Sequence, residues 1–177
     1  MTEAEQAGDD RAADNPAAAV ADRAADNPAA NKKVVERLVR DIVNGGQVDL
    51  LEEVLADGFV AHGVGSGPSG PDGMRRLIDT WRAAFSDWQD HIDEMVAEGD
   101  LVVLKISARG THDGPLLGIE PTGEAVQWGM IEMVRLADGK ITEQWGYSDF
   151  AEVVRHLRKV AAAQSEQQSQ YQSDQEA

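Results

Sequence analysis

Glu124-Ala-Val-Gln-Trp-Gly-Met-Ile-Glu-Met-Val-Arg-Leu-Ala-Asp-Gly-Lys-Ile-Thr-Glu-Gln-Trp-Gly-Tyr-Ser148 is the stretch that decides the fold. Val126, Trp128, Met130, Val134 and Leu136 fall on every second position. That period of two fits a strand with one buried face. Asp138-Gly139 then interrupts the run, and Asp-Gly between alternating segments is a strong hairpin signal. The spacing predicts strands over 124–136 and 140–148. Glu132 alone breaks the apolar face. Ionising a carboxylate between Trp128, Met130 and Val134 is costly, so its pKa should rise. Glu132 is therefore either a general base in a pocket, or a carboxylate paired with an Arg across the sheet, or a solvated residue on an edge. The hairpin register bears on this choice. A two-residue turn pairs Glu132 with Trp145 and brings Trp145 and Tyr147 beside it. A three-residue turn with a Gly bulge pairs it with Gln144 and puts Gly146 on its face.

Working outward, 88–97 and 100–112 read as two more strands. Upstream the period becomes helical. Asn31 is a good N-cap, and Val34, Val35, Leu38, Val39, Ile42 and Val43 recur at helical spacing up to Gly45-Gly46. A second helix is expected from Asp49, a short strand over Gly58–His62, and a Gly/Ser/Pro loop from Gly63 to Gly70. A third helix from about Pro71 carries Met74, Leu77, Ile78, Trp81 and Phe85 on one stripe. A last helix carries Phe150, Val153, Val154 and Leu157. Helices, then an antiparallel meander, then a closing helix make an α+β domain.

The folded unit should span 31–160. Residues 1–30 read as a disordered, acidic, Ala-rich tail holding a 12-residue repeat, Asp10 to Ala18 returning at Asp22 to Ala30. Residues 161–177 read as a Gln/Ser-rich loose tail. The chain has 16 Lys and Arg against 32 Asp and Glu, a net charge of −16. That balance argues against nucleic acid and against an anionic membrane surface, both of which call for clustered positive charge. Self-repulsion on this scale is relieved by salt, so a halophilic source is expected. With no cysteine there is no disulfide or thiolate chemistry. No apolar run approaches a membrane span and no signal peptide is evident, so a cytoplasmic location is expected. Four scattered His without a His-x-x-x-His pair make zinc unexpected. No phosphate-cradling or dinucleotide motif is present either, so no cofactor is expected.

The order of these elements, with Phe59-Val-Ala-His62, Gly110-Thr-His-Asp-Gly114, Gly118-Ile-Glu-Pro-Thr-Gly123, Arg135-Leu-Ala-Asp-Gly-Lys-Ile141 and Trp145-Gly-Tyr-Ser-Asp149, resembles the SnoaL-like polyketide and ester cyclases of the nuclear-transport-factor-2-like superfamily. The resemblance covers about 31–160. It implies a cone-shaped fold, helices packed on a curved, mostly antiparallel sheet around an apolar pocket, and a homodimer. It also implies an acid/base Asp on the last strand and a His on the strand before it. Anchored on Asp138-Gly139-Lys140, those two positions are Gly146 and Glu132. The first expectation is therefore a cofactor-free enzyme acting on a hydrophobic small molecule bearing a carbonyl or epoxide. Glu132 would move the proton, and His112 and His62 would position oxygen. Phe59, Trp128, Met130, Trp145, Tyr147 and Asp149 would line the site. Asp149 followed by Glu152 also fits a capping box on the last helix. The alternatives are a non-catalytic binding protein for an apolar metabolite and a dimeric structural module.

Overall fold

The computed structural model describes residues 27–63 and 69–175. Most of the expected N-terminal tail and of the glycine loop therefore lies outside the described residues. Five strands form one mixed sheet in the order β1-β5-β4-β3-β2. They are β1 (Leu55–Gly63), β2 (Gln89–Glu98), β3 (Leu101–Thr111), β4 (Ala125–Ala137) and β5 (Lys140–Ser148). β1 runs parallel to β5, and the other neighbours are antiparallel. The helices are α1 (Pro28–Arg37), α2 (Leu51–Val54), α3 (Pro71–Ala84) and α4 (Phe150–Gln175). α1 continues as a π-helical turn over Leu38–Asn44, and a 3-10 turn at Val48–Leu50 leads into α2. The fold is the expected α+β arrangement, and the sheet is not closed on itself.

The core lies between the helices and one face of the sheet. Val35, Ile42, Leu51, Leu55, Val102, Val134, Ile141 and Leu157 are all fully sealed. Side chains of this size each contribute roughly 1.5–3 kcal/mol on burial. The even-numbered face of β4 is inward as expected: Val126, Trp128, Val134 and Leu136 are buried there, while Gln127, Gly129 and Ile131 are exposed. An aromatic cluster fills one end of the core. Trp81 packs on Trp88 and Trp128, and Phe150 meets Trp81 edge-on with ring centres 4.6 Å apart.

Two helix ends differ from the sequence reading. α1 begins at Pro28, with Asn27 as its cap: the Asn27 side chain accepts from Ala29 N. Asn31 is instead buried inside the helix and donates through Nδ2 to the Gly99 carbonyl. Asn-Pro suits a cap followed by a first-turn Pro, and the buried tertiary bond gives Asn31 another use. α4 does not stop near 160 but runs on to Gln175 as an exposed helix. Residues 161–175 contain neither Gly nor Pro, and Ala, Gln and Glu form helix readily.

The turn at Asp138-Gly139, for which the sequence left a two-residue and a three-residue form open, is a two-residue hairpin with both residues at positive φ, 53° and 75°. Ala137 pairs with Lys140 and Leu136 with Ile141. The register then slips by one, so Arg135 pairs with Glu143 and Glu132 with Gly146. Thr142 is the extra residue, and its Oγ1 donates to the Arg135 carbonyl at 3.2 Å. Neither register read from the sequence is the observed one. A tight turn and a separate bulge together put Gly146 opposite Glu132.

Candidate functional site

Direct partners across an antiparallel ladder share a face. β2, β3 and β4 line up Asp90, Ala108 and Trp128 in one row, Ile92, Ile106 and Met130 in the next, and Met95, Leu104 and Glu132 in a third. Gly146 on β5 and Gly63 on β1 extend the third row. All of these residues lie on the inner face. Ala108, Trp128, Leu104 and Ile106 are sealed. Asp90, Ile92, Met95, Met130 and Glu132 remain half-buried, as do Trp81 and Phe150 facing them from the helices. Solvent therefore reaches the inner face along an apolar wall that carries two carboxylates.

Burial pushes the Glu132 carboxyl up to about 7; the nearby Asp90 charge adds to this, and a hydrogen bond from Gln144 draws it back. Gln144 lies on the same face, and its Oε1 is buried without a partner among the described residues. Asp90 is pushed up to about 6 by burial, opposed by the bond that it accepts from Trp88. Two carboxyls titrating near neutrality in one site is an arrangement suited to proton transfer.

Asp90 is the residue that the sequence reading missed. β2 has few apolar residues, and a bulge at Asp93 shifts its phase, so that Asp90 and Ile92 point inward together with Met95 and Ala97. The Asp90 backbone is clamped on both sides. Its N–H donates to Asn44 Oδ1 at 2.8 Å, and Asn44 Nδ2 donates to its carbonyl at 2.7 Å. Trp88 Nε1 donates to Asp90 Oδ1 at 2.7 Å. Asn44 ends the π-helical turn, and Arg82 Nη2 donates to the Val43 and Asn44 carbonyls there. π-turns of this kind recur at functional sites.

The other expected site residues scatter. Trp128 and Met130 stand on the inner face with Glu132, and Phe59 is sealed in the core. Trp145 pairs with Met133 and lies on the outer face, where the His62 ring stacks on it at 4.8 Å. His62 Nε2 lies 3.1 Å from Glu143 Oε2, and the Arg135 guanidinium sits over Trp145. Tyr147 pairs with the exposed Ile131 and is itself 75% exposed on that outer face. The bulge at Thr142 is the physical reason, since it turns odd-numbered β5 side chains away from Glu132.

His112 is buried at the opposite end of the sheet, beyond the Thr111–Ala125 pair, against Phe85. Its Nδ1 accepts from Thr122 N at 3.2 Å and lies 3.0 Å from Thr122 Oγ1. Burial lowers its pKa. It sits eight residues along β3 from the Leu104 row, roughly 25 Å at strand rise, too far to act with Glu132. Asp149 forms no capping box either. Its Oδ1 accepts from Gly129 N at 2.8 Å, its backbone carbonyl accepts from Glu152 N, and Glu152 bonds Arg155. An open groove of about 600 Å³ between Pro121–Gly123 and Gln164–Gln172 of α4 contains none of these residues.

No described helix is long and apolar enough to cross a membrane. Residues 33–157 match the family of SnoaL-like polyketide cyclases. Aklanonic acid methyl ester cyclase DauD of Streptomyces sp. (strain C5) is 29% identical over 133 residues, covering 70% of this chain and 79% of its own. Nogalonic acid methyl ester cyclase of Streptomyces nogalater is 27% identical over 121 residues, 64% of this chain and 87% of its own. Among solved structures, AclR of Streptomyces galilaeus, a proposed hydroxylase, superposes with a TM-score of 0.67 at 27% identity, over 75% of this chain and 98% of its own.

Proposed function

The chain belongs to the SnoaL-like polyketide cyclase family, and on that premise we propose that it closes a ring in a hydrophobic, carbonyl-bearing substrate without a cofactor, Glu132 acting as the general base. The observation that carries the reading is half-buried Glu132, whose carboxyl burial holds near 7 on a largely apolar inner wall. A base of that strength suits a carbon acid flanked by carbonyls at neutral pH. Glu132 takes the proton, the C–H pair becomes an enolate, and the enolate carbon attacks a second carbonyl of the same molecule. The alkoxide formed takes a proton back, so the reaction is an isomerisation and needs no co-reactant. DauD and the Streptomyces nogalater enzyme are methyl ester cyclases by name, which supports a polyketide methyl ester as the substrate class.

The test is turnover of aklanonic acid methyl ester and nogalonic acid methyl ester by the wild type and by Glu132→Gln. A loss of at least about 100-fold in kcat supports the base. Equal rates in the two proteins would refute it.

Gly146 favours a second reading. Where the resemblance calls for an Asp this chain has no side chain, which fits a non-catalytic protein that binds an apolar metabolite. Tight binding of either ester without turnover, unchanged in Glu132→Gln, would select it. We also propose that the outer sheet face pairs two copies of the chain. Val96, Ile131 and Tyr147 are 63%, 48% and 75% exposed there, and exposed apolar patches often mark interfaces. Sedimentation as a monomer at micromolar concentration would exclude this.

A further inference from the structure

Among the described residues the inner face leaves two side-chain acceptors, on Asp90 and Gln144, without a hydrogen-bond partner. Asp90 commits Oδ1 to Trp88 and its backbone to Asn44, while Oδ2 has no hydrogen-bond partner among the described residues. Gln144 Oε1 is buried and likewise unpartnered. The side-chain donors that meet Asp90 are already engaged by it: Trp88 Nε1 by its carboxylate and Asn44 Nδ2 by its carbonyl. A ligand that satisfies these two acceptors must bring hydrogen-bond donors of its own. It must also be largely apolar, to lie on Trp81, Ile92, Met130 and Phe150.

We propose that Asp90 is a specificity-determining residue: its Oδ2 accepts a hydrogen bond from a substrate hydroxyl, while the carbonyl-flanked carbon lies at Glu132. This rests on the reading of the inner face as the substrate site, and adds to it a hydroxyl-bearing substrate class. Sites built to bond a hydroxyl discriminate strongly against analogues that lack it, because the buried partner is left unpaired. The geometry also fixes the outcome of one substitution. In Asp90→Asn, Trp88 Nε1 still needs an acceptor, so the amide oxygen turns to it and the NH₂ takes the place of Oδ2. An acceptor becomes a donor with no change of shape.

The test uses two probes at pH 8, 2-(hydroxymethyl)anthraquinone and 2-(methoxymethyl)anthraquinone, with dissociation constants read from quenching of the four Trp. Wild type should bind the alcohol at least about 10-fold tighter than the ether. Asp90→Asn should abolish or reverse that ratio, and Glu132→Gln should keep it. Equal binding of the two probes by wild type overturns the inference, whatever the variants do. So does an unchanged preference in a folded Asp90→Asn. If the alcohol preference is present and tracks Asp90 but Glu132→Gln leaves ester turnover intact, the base reading fails and this inference stands. If neither probe binds, both fail.

Discussion

Glu132 and Gly146 face each other across the β4–β5 ladder, and Glu132 Oε1 lies 4.0 Å from the point that a Cβ on residue 146 would occupy. Among the described residues, its own chain neighbours aside, nothing else comes within 4 Å of that point, so a side chain fits there. Gly146→Asp would set two carboxylates side by side. Like charges disfavour joint ionisation. The Glu132 carboxyl of Gly146→Asp should therefore titrate above its wild-type midpoint, as followed by ¹³C NMR of the Glu side chains. An unchanged midpoint would mean that the two positions do not share a face.

Glu132 should make stability fall as pH rises. Its carboxyl is raised from an ordinary 4.5 to about 7 in the fold, so the folded state holds the proton more tightly. The associated stability is fully present below about 4.5 and is lost as pH rises to about 7, by at most about 3 kcal/mol. Asp90 contributes with the same sign between 3.8 and about 6. Glu132→Gln removes the first effect. Its melting temperature should gain on wild type by several degrees between pH 4.5 and pH 8. A difference independent of pH would contradict this.

Much of this site is visible in the sequence, and the rest is hidden for identifiable reasons. The strict alternation from Val126 to Leu136 placed Glu132 on the inner face because that strand pairs on both sides and has no bulge opposite Glu132. Trp145 and Tyr147 were expected beside Glu132 only in the two-residue register, and His62 through the resemblance; all three lie on the outer face. The bulge at Thr142 leaves no local sequence signature, yet it turns the odd-numbered β5 residues outward. Asp90 was lost for a similar reason. Gln89-Asp-His-Ile-Asp-Glu94 has too few apolar residues to reveal the phase change at Asp93. The bonds from Asn44, 46 residues upstream, come from tertiary packing alone. His112 resembled a site residue by its motif, and its role in holding Thr122 depends on contacts that no spacing encodes.

Asn44 holds Asp90 by two backbone bonds. Asn44→Ala leaves the part-buried amide and carbonyl of Asp90 unpaired and should cost about 1–3 kcal/mol in urea denaturation. It should also weaken the preference for the hydroxyl probe, since Asp90 is freed to move. Stability within about 0.5 kcal/mol of wild type would show that water replaces the clamp at little cost.

With a net charge of −16, the fold works against its own repulsion. At ~1 M salt the screening length falls to about 3 Å. The urea midpoint should therefore rise in molar KCl relative to dilute buffer. A midpoint that is flat or falling with KCl would remove the case for a salt-adapted source.

The most direct test of the central claim is the titration of Glu132 itself, by ¹³C NMR of the side-chain carboxyls, with Glu132→Gln identifying the resonance. A midpoint near 7, moving down in Asp90→Asn as the neighbouring charge is removed, is what a base held on the apolar inner wall predicts. A midpoint near 4.5, indifferent to Asp90, would mean a solvated carboxylate, and the proposed chemistry would lose its base.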